Sequence, residues 1–238
     1  MIDSTPPAAS GGVPSAAAAT AAGPADVPVL VDPSPGWRAQ GLALAAELRA
    51  ALAPTAVHVE HIGSTAIPGM AAKPVLDLQV AVVDLAAAER DFAGPLADRG
   101  FLLSRHRHDH VPAGLDDDPR KWAKRLWTRR PDQGARPASD GTPAVPDVTA
   151  VADAVALRAV NLHVRRVGSP NERLALLFRD WFRAHPEAVP AYARFKRLLA
   201  EAVADTGVYA DVKDPVVDLV VTVAEPWAEA TGWAPYGG

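Results

Sequence analysis

Two stretches of this chain alternate apolar and polar residues so regularly that they leave little choice of local structure. In residues 74–83, PVLDLQVAVV, Leu76, Leu78, Val80 and Val82 fall on one side and Val75, Asp77, Gln79 and Ala81 on the other. In residues 157–166, LRAVNLHVRR, Val160, Leu162 and Val164 oppose Asn161, His163 and Arg165. A period of two marks a strand with one buried face. If the two strands share a sheet, Asp77, Gln79, Asn161, His163 and Arg165 line one polar surface whose reverse is the core. A carboxylate inside an apolar run needs a partner, a metal or water. Asp77 therefore either bridges to an arginine across the strand or holds a divalent cation.

The remaining periodicity predicts what surrounds these strands. Residues 36–52 and 84–99 read as helices, the second stopped by Gly100, and 56–62 as a strand, with shorter strand candidates at 101–107 and 121–128. Ser169-Pro170-Asn171-Glu172 has the form of a capping box. The helix it opens puts Leu174, Leu177, Phe178, Trp181 and Phe182 on one stripe. A helix follows over about 188–204. Another is expected to start near Asp214-Pro215, with Val216, Leu219, Val220 and Val223 buried. Strands first and helices last imply an α/β (α+β) fold, a mixed sheet with helices packed on one face and a helical C-terminal third.

Composition limits what this fold can do. With 49% apolar residues in 238, the chain can fill the core of one sizeable domain. Residues 1–28 are almost entirely small residues and proline, which predicts a disordered tail; residues 129–150 predict a flexible insertion inside a domain spanning 29–238. There is no cysteine, which excludes disulfides, thiolate metal ligands and cysteine nucleophiles. No apolar run reaches membrane-spanning length, and the first residues make a poor secretory signal, so a cytoplasmic protein without a membrane partner is expected. A net charge of −4 argues against general nucleic-acid binding. Within that total, 158–197 carries nine Arg/Lys against three acids, whereas 198–238 carries one Lys against seven. A basic middle suits a local anionic ligand, or simply a solvated helix face.

The candidate chemistry gathers around residues 61–80. The Gly63-Ser64-Thr65 turn precedes the Asp77 strand, and glycine there lets a backbone approach a phosphate closely. Lys73 lies in the intervening loop. Lys196 falls with Tyr192, Phe195 and Leu199 on one i, i+3, i+4, i+7 stripe. It either snorkels to solvent or enters the pocket. Arg179 and Asp180 flank the stripe of the preceding helix, where ion pairs would serve as well as ligand binding. In RHRHDH, 105–110, the histidines His106, His108 and His110 suit an exposed hairpin end better than a metal site. Neither a G-x-x-x-x-G-K-[ST] loop nor a G-x-G-x-x-G motif is present.

The stretch EHIGSTAIPGMAAKPVLD, residues 60–77, resembles the signature of the GrpB family. Trp122 to Arg125, Asn161 to Val164, Phe178 to Asp180, His185-Pro186, Tyr192 to Lys196 and Tyr209 to Lys213 extend the likeness over about residues 30–230. The family is grouped with the nucleotidyltransferase superfamily. That resemblance implies a nucleotidyltransferase-like fold and a nucleotide or phosphorylated small molecule as ligand. In that superfamily a Gly-Ser turn precedes two carboxylates spaced Asp-apolar-Asp/Glu, which hold Mg²⁺ or Mn²⁺. Here Asp77 keeps the first and Gln79 replaces the second, with Glu60 or His163 as substitute ligands. Carried onto this chain, Asp77 and His163 are the catalytic candidates and Asp77 and Glu60 the metal ligands. Gly63, Ser64, Thr65, Lys73, Gln79, Asn161, Arg165, Arg179 and Lys196 would surround the phosphates. The chain is then either a transferase of nucleotidyl or phosphoryl groups or a non-catalytic binding module.

Overall fold

A computed structural model describes residues 27–130 and 159–237. The tail expected over 1–28 and the insertion expected over 129–150 lie, apart from two residues each, outside the described residues. Helix α1 (Gly36–Ala51) precedes strand β1 (His58–Ile62), a one-turn 3-10 helix (Ser64–Ala66) and strand β2 (Val75–Val82). Helix α2 (Leu85–Ala97) and strands β3 (Leu102–Leu103), β4 (Lys124–Arg129) and β5 (Ala159–Arg166) follow. The last third is helical: α3 (Pro170–Ala184), α4 (Val189–Ala202) and α5 (Thr206–Thr231).

The strands form one mixed sheet in the order β1-β2-β5-β4-β3. β2 and β5 are parallel, with Asp77 beside Asn161 and Gln79 beside His163, while the other pairs are antiparallel. Parallel neighbours in register present the same face at paired positions, so the two alternating segments do share one polar surface. On the reverse, Leu76, Leu78, Val80, Val82, Val160, Leu162 and Val164 are buried under Leu44 and Leu48 of α1, Leu52 at its C-cap, and Phe92 and Leu96 of α2. Truncating any of these leucines to alanine costs about 2–5 kcal/mol. α1 comes close enough that a Cβ at Gly41 would sit 2.1 Å from the His61 ring. A second cluster joins Ile67, Met70 and Ala71 of the β1–β2 connection to Phe182, Val189 and Tyr192, so the C-terminal helices clamp the loop that carries the Gly63 turn.

Three local expectations are corrected. The 101–107 strand shortens to two residues because the chain then turns to place Asp109 against Arg165 and Lys124. Glu172 does not close a box with Ser169: its Oε2 accepts from the Gly168 backbone N–H at 3.1 Å, and the Ser169 hydroxyl donates to Arg166 O at 2.6 Å. α5 starts at Thr206, where the Asp205 carboxylate caps Val208 N–H at 2.9 Å, and Pro215 lies inside it. Of the expected stripe, Val216 and Val220 pack half-buried against the Phe182–Tyr192 cluster, whereas Leu219 is 66% exposed and the fully buried positions are Tyr209, Val221, Ala224 and Ala228.

Candidate functional site

The polar face divides into an open end and a closed end. At the open end, Asp77 Oδ1 accepts from Asn161 Nδ2 at 2.8 Å and lies 3.6 Å from His163 Nε2. The imidazole sits beside the carboxylate because β5 runs parallel to β2 and rises two residues past Asn161. The Asp77 side chain is 29% exposed. Burial raises its pKa, but His163, Asn161 and Lys73 together outweigh that and hold it below the usual carboxylate value. Burial and then Arg165 lower the His163 pKa against the pull of Asp77, favouring a neutral ring. The other carboxylate oxygen, Oδ2, packs on the Gly63 turn: a Cβ at Gly63 would lie 2.6 Å from it. Gly63 also has φ +69°, so two separate constraints demand glycine there.

Across from Asp77, α4 delivers Lys196 from below. Its ammonium donates to Ser64 Oγ at 2.9 Å and to Ala71 O at 2.5 Å, with the Tyr192 ring centroid 5.2 Å away. Lys196 is 2% exposed, so it does not snorkel. Burial, then the neighbouring Lys213, Arg197 and Lys73, push its pKa down to about 7 against the attraction of Asp77. Lys73 lies over the Tyr209 ring, 5.2 Å from its centroid, and Lys213 Nζ is 3.8 Å from Asp214. Ser64, Asp77, Lys73 and Lys196 thus form a ledge, with Lys213 and its neighbour Asp214 at its edge. An ammonium has three donors; among the described residues Lys196 spends two on the protein and keeps one.

The closed end uses its polar groups on itself. Gln79 is 1% exposed; its Oε1 accepts from Arg165 Nη1 at 2.6 Å and its Nε2 donates to Glu172 O at 3.2 Å. Arg165 is also buried, donating to both oxygens of Asp109 at 2.8 and 3.0 Å. Lys124 at 2.6 Å and Asn171 at 3.0 Å complete the ring around that carboxylate. Burial alone would raise the Asp109 pKa, but Arg165 and Lys124 hold it far below the usual range. Beyond this network Tyr236 stacks on His58, centroids 3.8 Å apart, and donates to Glu172 Oε1 at 2.6 Å.

Other candidates are brought near the site but engaged elsewhere. Arg179 donates to Glu60 Oε2 at 2.9 Å and to His61 O at 3.0 Å, and pairs with Asp180 at 2.7 Å, so Glu60 and Arg179 neutralise each other. Thr65 is buried and bonds the His61 ring at 2.9 Å on the inner side of the turn. Burial lowers the His61 pKa to about 4, so that ring is neutral. The histidines of RHRHDH separate: the His106 ring meets Ser104, and His110 reaches Asp218 on α5 at 3.0 Å. Sequence reasoning missed Asp109 in that segment; the signal was a buried arginine on β5 that needed a carboxylate. Among the described residues no group of three or more His, Cys, Asp or Glu side chains is placed to hold a metal ion. Hard divalent cations take six or more oxygens. Asp77 has one oxygen on Asn161 and the other against the Gly63 turn, and Gln79 and Glu60 are engaged. The donor set as folded does not fit a paired-metal centre.

Comparison with known proteins supplies the lineage. The chain is 36% identical over 219 residues to a dephospho-CoA kinase of Mycolicibacterium paratuberculosis, covering 87% of this chain but 48% of that protein. A Mycobacterium tuberculosis protein of the same name is 31% identical over 226 residues, again with 48% of its length covered. The chain therefore spans about half the length of these relatives. A UPF0157 protein of Halalkalibacterium halodurans matches at 28% over 193 residues, with 81% and 80% covered. The crystal structure of conserved protein GrpB from Enterococcus faecalis superposes with TM-score 0.58 at 22% identity, covering 84% of this chain and 99% of that one, a likeness of fold. The family profile described as GrpB protein matches residues 28–222, through every strand of the sheet and into α5: the chain belongs to the GrpB family.

Proposed function

We propose that this GrpB-family chain binds the phosphate of a nucleotide, or of a nucleotide-like phosphorylated small molecule, on the ledge between the Gly63-Ser64 turn and α4. The observation that carries this reading is Lys196, an ammonium 2% exposed, bonded to Ser64 Oγ and left with one donor. Burying a cation is costly unless something uses its charge, and the attraction of Asp77 does not offset burial and the neighbouring Lys213, Arg197 and Lys73. The name of the mycobacterial relatives, dephospho-CoA kinase, supports a nucleotide-related ligand. It supports no more than that, because about half of each relative lies beyond the match and this sequence lacks the G-x-x-x-x-G-K-[ST] loop.

Isothermal titration with ATP, ADP and dephospho-CoA tests the proposal. At least one should bind, and Lys196→Met should weaken it about 10- to 100-fold, the loss of a charged hydrogen bond worth about 1.5–3 kcal/mol. Absence of binding by all three, or affinity indifferent to Lys196, ends this reading. Transfer of a phosphoryl or nucleotidyl group is the second reading, favoured by the pairing of His163 Nε2 with Asp77 at 3.6 Å, where the carboxylate, oriented by the imidazole, can receive an acceptor hydroxyl. Product formed from a bound nucleotide and lost in His163→Gln would select it.

A further inference from the structure

We infer that this site holds its anion directly on lysine ammonium groups, without a divalent cation, and that Asp77 opposes binding where the superfamily pattern would have it recruit a metal. The inference rests on the phosphate reading above and departs from the resemblance that suggested Mg²⁺ or Mn²⁺. In a paired-metal site, carboxylates face the ligand and cations are needed before a phosphate can approach. This chain reverses that balance. Gln79 stands where a second carboxylate would be and is committed to Arg165 and Glu172 O. Glu60 is neutralised by Arg179. The charges left at the centre of the ledge are Asp77 and Lys196, with Lys73 over the Tyr209 ring and Lys213 beside Asp214 both near enough to act on Lys196.

Asp77 is also badly placed to coordinate. Asn161 presents an N–H to Oδ1 at 2.8 Å, a donor where a metal would need acceptors. Oδ2 faces the Gly63 turn at a separation that leaves no room for a methyl group. The carboxylate's structural task is visible in those same contacts: it ties β2 to β5 and braces the turn that carries Ser64. Its charge then lies beside the phosphate position, where it repels. Removing that charge while keeping the shape should strengthen anion binding, the opposite of what a metal ligand predicts.

Inorganic phosphate is the probe, since Mg²⁺ complexes it only weakly, titrated into the full chain in EDTA and again in millimolar Mg²⁺ or Mn²⁺. The expected result is equal affinity in EDTA and in metal, with Asp77→Asn binding about 3- to 10-fold tighter and Lys196→Met at least 10-fold weaker. The wild-type comparison needs no variant, so a misfolded Asp77→Asn cannot obscure the answer. Binding seen only with metal, and lost in Asp77→Asn, overturns this inference while leaving the phosphate reading standing. Binding in neither condition overturns this inference; the phosphate reading falls only if ATP, ADP and dephospho-CoA also fail to bind.

Discussion

The two ends of one sheet face put the same residue types to opposite uses. At the Arg165 end, Arg165, Lys124, Asp109, Gln79 and Asn171 satisfy one another inside the protein. At the Ser64 end, about 84 residues of sequence also separate the partners, Asp77 and Asn161, yet the buried Lys196 beside them bonds a hydroxyl and a carbonyl and no carboxylate. Charges that close on themselves hold a fold together; charges left in excess imply a ligand. The same distinction separates Arg179, paired with Glu60 and Asp180, from Lys196, which meets a hydroxyl and a carbonyl.

Breaking the closed end should produce the largest effect. Asp109→Ala leaves Arg165 and Lys124 buried without their counter-charge and should cost about 3–5 kcal/mol in urea denaturation. A loss under 1 kcal/mol would mean that this end is as open as the other. Next comes the turn at the open end. Gly63→Ala forces a side chain into φ +69° and into contact with Asp77, and should cost about 1–3 kcal/mol while weakening phosphate binding. Unchanged affinity would detach the turn from the site. The smallest and most specific effect is a pH dependence. Sulfate, whose charge is constant, should lose affinity as pH rises through about 7, where Lys196 gives up its proton, by up to tenfold per unit. The Lys196→Met profile should be flat there. For stability the sign is reversed: between about pH 7 and the ordinary lysine range the unfolded chain is the more protonated state, so stability rises with pH across that window. The cost of burying the charged lysine is full below about pH 7 and fades as pH rises toward the ordinary lysine range.

What was legible in the sequence follows the same division. Alternation places Asp77, Gln79, Asn161, His163 and Arg165 on one face, because strand periodicity is local. Helical spacing likewise brings Lys196 inward with Tyr192 and Leu199. Periodicity cannot say which part of a face another segment will cover. The loop carrying Asp109 and the first turn of α3 arrive from 56 and 93 residues away to seal Gln79 and Arg165. The start of α5 was hidden for a different reason. Pro215 has the look of a first-turn proline, whereas the working cap, Asp205, is followed two residues later by Gly207, a poor helix former.

The strand order carries a consequence for biosynthesis. β5 is the last strand to be made and occupies the middle of the sheet, between β2 and β4. Until residue 166 has left the ribosome, both of those strands wait with bare hydrogen-bonding edges, inviting mispairing with other nascent chains. Insertion of β5 closes both seams at once and in the same motion sets Asn161 and His163 against Asp77, so an incomplete chain has neither a finished sheet nor a site.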